Sequence, residues 1–145
     1  MVRLSKRVEY ALLAMQAMAV EPRNVWSATD IATRYHISKT LVAKVLQQLM
    51  HAGMVRSNRG VNGGYSLSCE PASVSVADVL TAVEGESVAL VDCQGSHNHE
   101  CSSEGSCTIR EPLFLLQQRI VDTLASMTIA ELSRSAELVS VSIEC

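Results

Sequence analysis

Ser38-Lys39-Thr40-Leu41-Val42-Ala43-Lys44-Val45-Leu46-Gln47-Gln48-Leu49-Met50-His51-Ala52-Gly53-Met54-Val55-Arg56-Ser57-Asn58-Arg59-Gly60-Val61-Asn62-Gly63-Gly64-Tyr65-Ser66-Leu67 decides the fold of this chain. Ser38 stands where a helix N-cap belongs, since its hydroxyl can take an orphan N–H of the first turn. Val42, Val45, Leu46 and Leu49 then recur at helical spacing, which predicts a helix from Lys39 to about His51 with one apolar face. Gly53 follows as a residue free to adopt the left-handed conformation that ends helices. Beyond it the period changes. Met54-Val55-Arg56-Ser57 and Tyr65-Ser66-Leu67-Ser68 read as two strands. The loop from Asn58 to Gly64 holds three glycines and two asparagines, which predicts that these residues supply positive-φ positions of a hairpin.

Upstream, Ser27-Ala28-Thr29-Asp30 has capping-box spacing and predicts a short helix to about Tyr35, after which His36-Ile37 turns the chain into Ser38. A first helix from about Ser5 to Val20 is predicted by apolar residues at 8, 12, 15 and 19, with 11 and 18 beside them. Two short helices joined by a tight turn, then a two-stranded hairpin, make a winged helix-turn-helix. The fold class expected is therefore mainly α with a small β-hairpin wing.

Downstream, Ser75 caps a fourth helix, Val76 to about Glu84, with Val76, Val79, Leu80 and Val83 on one face. A long helix runs to about Ser126. Its start is expected somewhere in Thr108–Pro112, since Thr108 with Glu111 makes a capping box while Pro112 prefers the first helical position. Its Leu113, Leu116, Ile120, Leu124 and Met127 form a seam at nearly coiled-coil spacing, which predicts pairing with a second copy. Thr128 and Glu131 box a short last helix, and the tail from Glu137 to Cys145 alternates as a strand or stays disordered. The chain thus divides into a DNA-binding unit (1–84), a cysteine-containing loop (85–107), a dimerisation helix (108–127) and a C-terminal helix and tail (128–145).

Composition narrows the function. The chain has 145 residues, 48% apolar and 19% charged, enough for a packed core and too apolar for wholesale disorder. Only Tyr10, Trp26, Tyr35, Tyr65 and Phe114 are aromatic, too few for a platform that stacks single-stranded bases. No apolar run approaches the ~20 residues of a membrane span. The N-terminus resembles a signal peptide, with Arg3, Lys6 and Arg7 before an apolar stretch, but Glu9 and Gln16 interrupt it. A cytoplasmic protein is expected, with cysteines as thiols or metal ligands. The net charge of −3 hides an asymmetry: residues 1–65 hold nine lysines and arginines against three acids, and the rest three against twelve. A basic half on an acidic chain suits a module that binds a polyanion.

The outer face of the third helix shows Ser38, Lys39, Thr40, Ala43 and Lys44, with Gln47 one turn on. Small, polar and basic residues at the start of a second helix are what base edges and phosphates require. Arg59 stands at the hairpin tip beside Gly60, with Arg56 and Asn58 on the approach. An arginine on a thin glycine loop can enter a minor groove. Double-stranded DNA is the partner these residues predict.

Cys93, Cys101 and Cys107 follow a C-x7-C-x5-C pattern within fifteen polar residues. Thiolates at this spacing suit an iron–sulfur cluster or a zinc ion, though the pattern is not the C-x2-C of zinc ribbons. Direct oxidation of the thiols is the other reading. An iron–sulfur carrier or thiol enzyme is disfavoured: no acid–base pair is placed near a cysteine and no nucleotide loop follows a strand, so no enzyme is expected. His97, His99 and His36 are further ligand candidates, and Cys69 and Cys145 have no partners in sequence.

Met1 to Ser5, the Ser38 helix, Val55 to Leu67, and Val76-Ala77-Asp78-Val79-Leu80-Thr81-Ala82-Val83-Glu84-Gly85 resemble the IscR/NsrR/RirA group (Rrf family) of bacterial winged-helix regulators. The likeness extends through the cysteine loop and long helix. It implies homodimers on palindromic promoter DNA, acting as repressors that sense iron–sulfur, redox or nitric oxide status through a [2Fe-2S] or [4Fe-4S] cluster. It also implies that Cys93, Cys101 and Cys107 are the ligands. Some members add a histidine three positions after the last cysteine, where this chain has Arg110. Others use a carboxylate of the first helix from the second subunit, a position matched here by Glu9 of the partner subunit. Several members carry a glutamate where Ala43 stands, so their operator preference does not transfer.

Overall fold

A computed structural model describes residues 3–85, 89–90 and 105–141, with side chains to residue 136. Within them the chain forms α1 (Lys6–Val20), α2 (Ala28–Tyr35), α3 (Lys39–His51), β1 (Val55–Asn58), β2 (Gly64–Leu67), a 3-10 turn (Pro71–Ser73), α4 (Val76–Glu84), α5 (Arg110–Ser126) and α6 (Ile129–Val141). This is the expected winged helix-turn-helix, mainly helical.

Local chemistry sets the boundaries. The hydroxyls of Ser5, Ser27, Ser38 and Ser75 each accept a first-turn N–H, and Asp30 and Asp78 complete reciprocal capping boxes. These bonds hold the Asp30 carboxyl below its ordinary range, chiefly through the Ser27 hydroxyl. Between α2 and α3, His36 takes a left-handed conformation, φ 53°, and the N–H of Ile37 reaches back to Ala32 O at 3.0 Å. That reversal makes the tight turn.

The predicted faces of α3 and α4 are all buried, and α3 packs on α1 and α2. On α1 the buried stripe is Val8, Ala11, Ala14, Met15, Ala17 and Met18, while Leu12 and Ala19 are only partly covered. The face is rotated from the one expected because α1 packs against α3, α4 and α6 at once. Its small alanines allow that close approach.

The strands lie one residue away from their expected bounds, pairing Val55 with Leu67 and Asn58 with Gly64. The loop corrects the sequence reading. Only Gly60 has positive φ, at 127°, and neither asparagine does. Gly63 and Gly64 serve close approach instead. A Cβ would lie 2.7 Å from Asn58 O at Gly63 and 2.6 Å from Trp26 O at Gly64. Trp26 sits against β2 as a single-residue third strand, exchanging backbone bonds of 2.9 and 2.7 Å with Tyr65.

One further expectation is sharpened and another changes. The long helix starts at Arg110, with no side-chain cap at Ile109. The Thr108–Glu111 box lies too early to cap it. Pro112 is the third helical residue, where its missing N–H has no partner in the helix anyway. The last helix is long rather than short, and its backbone is helical through Val141 where a strand or disorder was expected. A few alternating residues do not outweigh extension of a helix already nucleated by the Thr128–Glu131 box, whose Thr128 N–H donates to Glu131 at 2.8 Å. No helix among the described residues is long and apolar enough to cross a membrane.

Candidate nucleic-acid interface and cysteine loop

Val42, Val45, Leu46 and Leu49 are fully buried, which fixes the rotation of α3. The face so turned outward carries Ser38, Lys39, Thr40, Lys44 and Gln47, all exposed, with Ala43 half-buried among them. Ala43 leaves a shallow spot between two lysines. Arg59 and Gly60 are exposed on the wing, and Val61 beside them is fully in water. Arg56 projects from β1, its Nε donating to Ser66 Oγ at 3.2 Å. Asn58 Nδ2 donates to the same oxygen at 2.9 Å. Among the described residues, the side-chain ion pairs are Lys6–Glu9 at 2.6 Å and Arg34–Glu21 at 2.7 Å. Lys39, Lys44, Arg56 and Arg59 therefore keep their charge uncompensated by these carboxylates, the electrostatic state a phosphate contact needs.

Sequence reasoning missed the residues that fasten α1 and α3 to the end of α4. Arg7 Nη2 on α1 and Gln48 Nε2 on α3 both donate to the carbonyl of Val83, at 2.5 and 3.0 Å. Ser5 Oγ donates to the Glu84 carboxylate. The last turn of α4, whose carbonyls have no partner in the helix, is thus tied to both α1 and α3 just before residue 86. Only long-range packing brings these groups together, and no local spacing announces it.

Cys93, Cys101, His97, His99 and Cys145 lie outside the described residues. Cys107 is half-buried three residues before α5 begins. With Phe114, Gln117 and Pro112 it lines a groove of about 890 Å3. Sulfur is a soft ligand, so by its chemistry Cys107 suits a soft metal centre. Among the described residues no three metal-binding side chains gather. Glu9 is half-buried on α1, and its pairing with Lys6 holds that ammonium above its ordinary range. His36 is exposed in the turn between α2 and α3. Cys69 packs behind the wing with Sγ 3.5 Å from Met54 O, and burial pushes its thiol up. It is a packing residue with little thiolate at neutral pH.

The helix after the cysteine segment divides its apolar residues. Leu124 packs on the core, Leu113 and Ile120 are half-buried, and Leu116 and Met127 of the predicted seam are exposed. Phe114 and Leu115 are also exposed, at 55% and 58%, and no residue of α5 is fully buried.

Three comparisons bear on these features. The pattern of the Rrf2 family, described as an iron-dependent transcriptional regulator, matches residues 4–135. The transcriptional regulator IscR of Vibrio campbellii is 32% identical over 141 residues, covering 97% of this chain and 82% of that protein. NsrR of Geobacillus kaustophilus is 29% identical over 131 residues, covering 90% and 88%. Among solved structures, CymR, the global cysteine regulator of B. subtilis, superimposes with a TM-score of 0.74 at 25% identity, covering 93% of this chain and 98% of that one. T. potens IscR superimposes with a TM-score of 0.73 at 25% identity, covering 95% and 90%.

Proposed function

The chain belongs to the Rrf2 family and is a DNA-binding transcriptional regulator, not an enzyme; from that premise we propose that it is a homodimeric repressor whose operator affinity is set by an iron–sulfur cluster on its cysteine loop. The division of α3 into a fully buried apolar face and an exposed basic face carries the DNA-reading part. Ser38, Lys39, Thr40, Ala43 and Lys44 face the major groove, while Arg56, Arg59 and Gly60 reach the backbone and adjacent minor groove. Two subunits meet through Phe114, Leu115 and Leu116 of α5, whose apolar surface the described residues leave open.

The iron-dependent description of the family supports the choice of metal, and the half-buried Cys107 ahead of α5 supports the place. Cys93, Cys101 and Cys107 would hold the cluster, with Glu9 of the partner subunit as the fourth ligand. Such a cluster supplies a thiolate-bound iron core that oxidants or nitric oxide degrade. The chain's own residues transmit the change. Glu9 must exchange Lys6 to ligate, and exposed pairs of this kind are weak. A pull on the segment after α4 would reach Val83, which Arg7 and Gln48 connect to α1 and α3. Tethering the segment between subunits therefore sets the spacing of the two recognition helices, a shift between two populations.

The test is iron, acid-labile sulfide and zinc analysis of anaerobically purified protein, with selection of bound duplexes from a random-sequence pool. Iron with sulfide is expected in the parent and absent from Cys93→Ala, Cys101→Ala and Cys107→Ala proteins. Glu9→Ala should keep a cluster with altered absorption and faster loss in air. Zinc without sulfide would replace the cluster by a structural metal, and a Glu9→Ala protein identical to the parent would move the fourth ligand into the loop.

A further inference from the structure

Ser66 is a buried hydroxyl, 9% exposed on β2 and directly opposite the exposed Arg56 in register. Its oxygen accepts from Arg56 Nε at 3.2 Å and from Asn58 Nδ2 at 2.9 Å. Arg56 and Asn58 are two apart on β1, so the pleat sets both on one face. A free arginine on a strand edge samples many rotamers and loses them when it meets a ligand. With Nε engaged, the guanidinium plane is set and its outer Nη1–Nη2 edge remains a two-donor fork. That edge matches a phosphate or the O6/N7 edge of guanine.

We propose that Ser66 is a positioning residue, whose hydroxyl pre-orients Arg56 and Asn58 as one DNA-contacting unit on the wing. The inference rests on the reading of the wing as a DNA contact. Ser66 does not touch DNA. It acts by lowering the ordering cost of the side chains that do. The wing then has two working parts: the exposed tip at Arg59, and a pre-set arginine at the base.

The experiment measures affinity for one duplex selected from the random pool, for Ser66→Ala, Arg56→Ala and the double variant. Ser66→Ala should bind roughly three- to tenfold more weakly, the scale of one lost hydrogen bond. In the Arg56→Ala background the same change should cost less than about twofold, because coupled residues are not additive. Ser66→Thr should restore binding and Ser66→Val should not. These two are isosteric, so they carry the test even if the alanine variant loosens the hairpin. Equal losses in both backgrounds would overturn the proposal while leaving the wing reading intact. Arg56→Ala binding as tightly as the parent would remove Arg56 from the DNA contact and this inference with it, and the wing reading falls too if Arg59→Ala is equally silent.

Discussion

α3 and α5 are both helices with a strong apolar pattern, and the chain treats them oppositely. α3 buries Val42, Val45, Leu46 and Leu49 completely, whereas α5 buries no residue and leaves Phe114, Leu115 and Leu116 about half in water. The difference shows where the fold is complete. One chain supplies everything needed to orient the recognition helix. Among the described residues α5 meets α4 and is anchored mainly at its far end, with Phe114, Leu115 and Leu116 left exposed. There Leu124 meets the core, and Val76 N–H to Met127 O and Ile129 N–H to Val74 O, both 2.9 Å, fasten its exit.

The contrast is broken most severely by trimming each helix. Leu46→Ala should destabilise the fold by about 2–5 kcal/mol, the cost of a core cavity. Thermal unfolding measures this, and Leu115→Ala on α5 should shift the midpoint far less at low protein concentration. Leu116→Asp should yield monomers in sedimentation equilibrium with unchanged helix content. Persistence of dimers would place the subunit contact elsewhere. Arg59→Ala should weaken operator binding by about 1–3 kcal/mol without unfolding the protein. Lys39→Ala and Lys44→Ala should each lower the slope of binding against salt by about one. The smallest effect is expected at the α2–α3 turn. His36 has φ 53°, a conformation glycine adopts without strain, so His36→Gly should raise stability by about 0.5 kcal/mol.

What the sequence made legible was local. Caps at Ser27, Ser38 and Ser75 and the periods of α3 and α4 depend on neighbours a few residues away, and the structure reproduces them. The hairpin was legible as a hairpin but not in its mechanism. Gly64 is required by the approach of Trp26, 38 residues upstream, which no turn rule contains. The register of the α1 face and the convergence of Arg7 and Gln48 on Val83 depend on three helices meeting, so periodicity within one helix could not fix them. In the candidate site, the exposed faces of α3 and the wing followed from their patterns. Ser66 was hidden because a serine inside a strand carries no distinguishing signal.

In the proposed switch, the state of the cysteine loop is read out at α3. Its most direct test is the affinity of cluster-loaded and cluster-stripped protein for the same selected duplex, measured anaerobically at one salt concentration. The account predicts a difference of about 5- to 150-fold between the two states, the usual range of coupling between sites, collapsing in a Gln48→Met protein that still carries the cluster. Equal affinities for the loaded and stripped forms of the parent would contradict it.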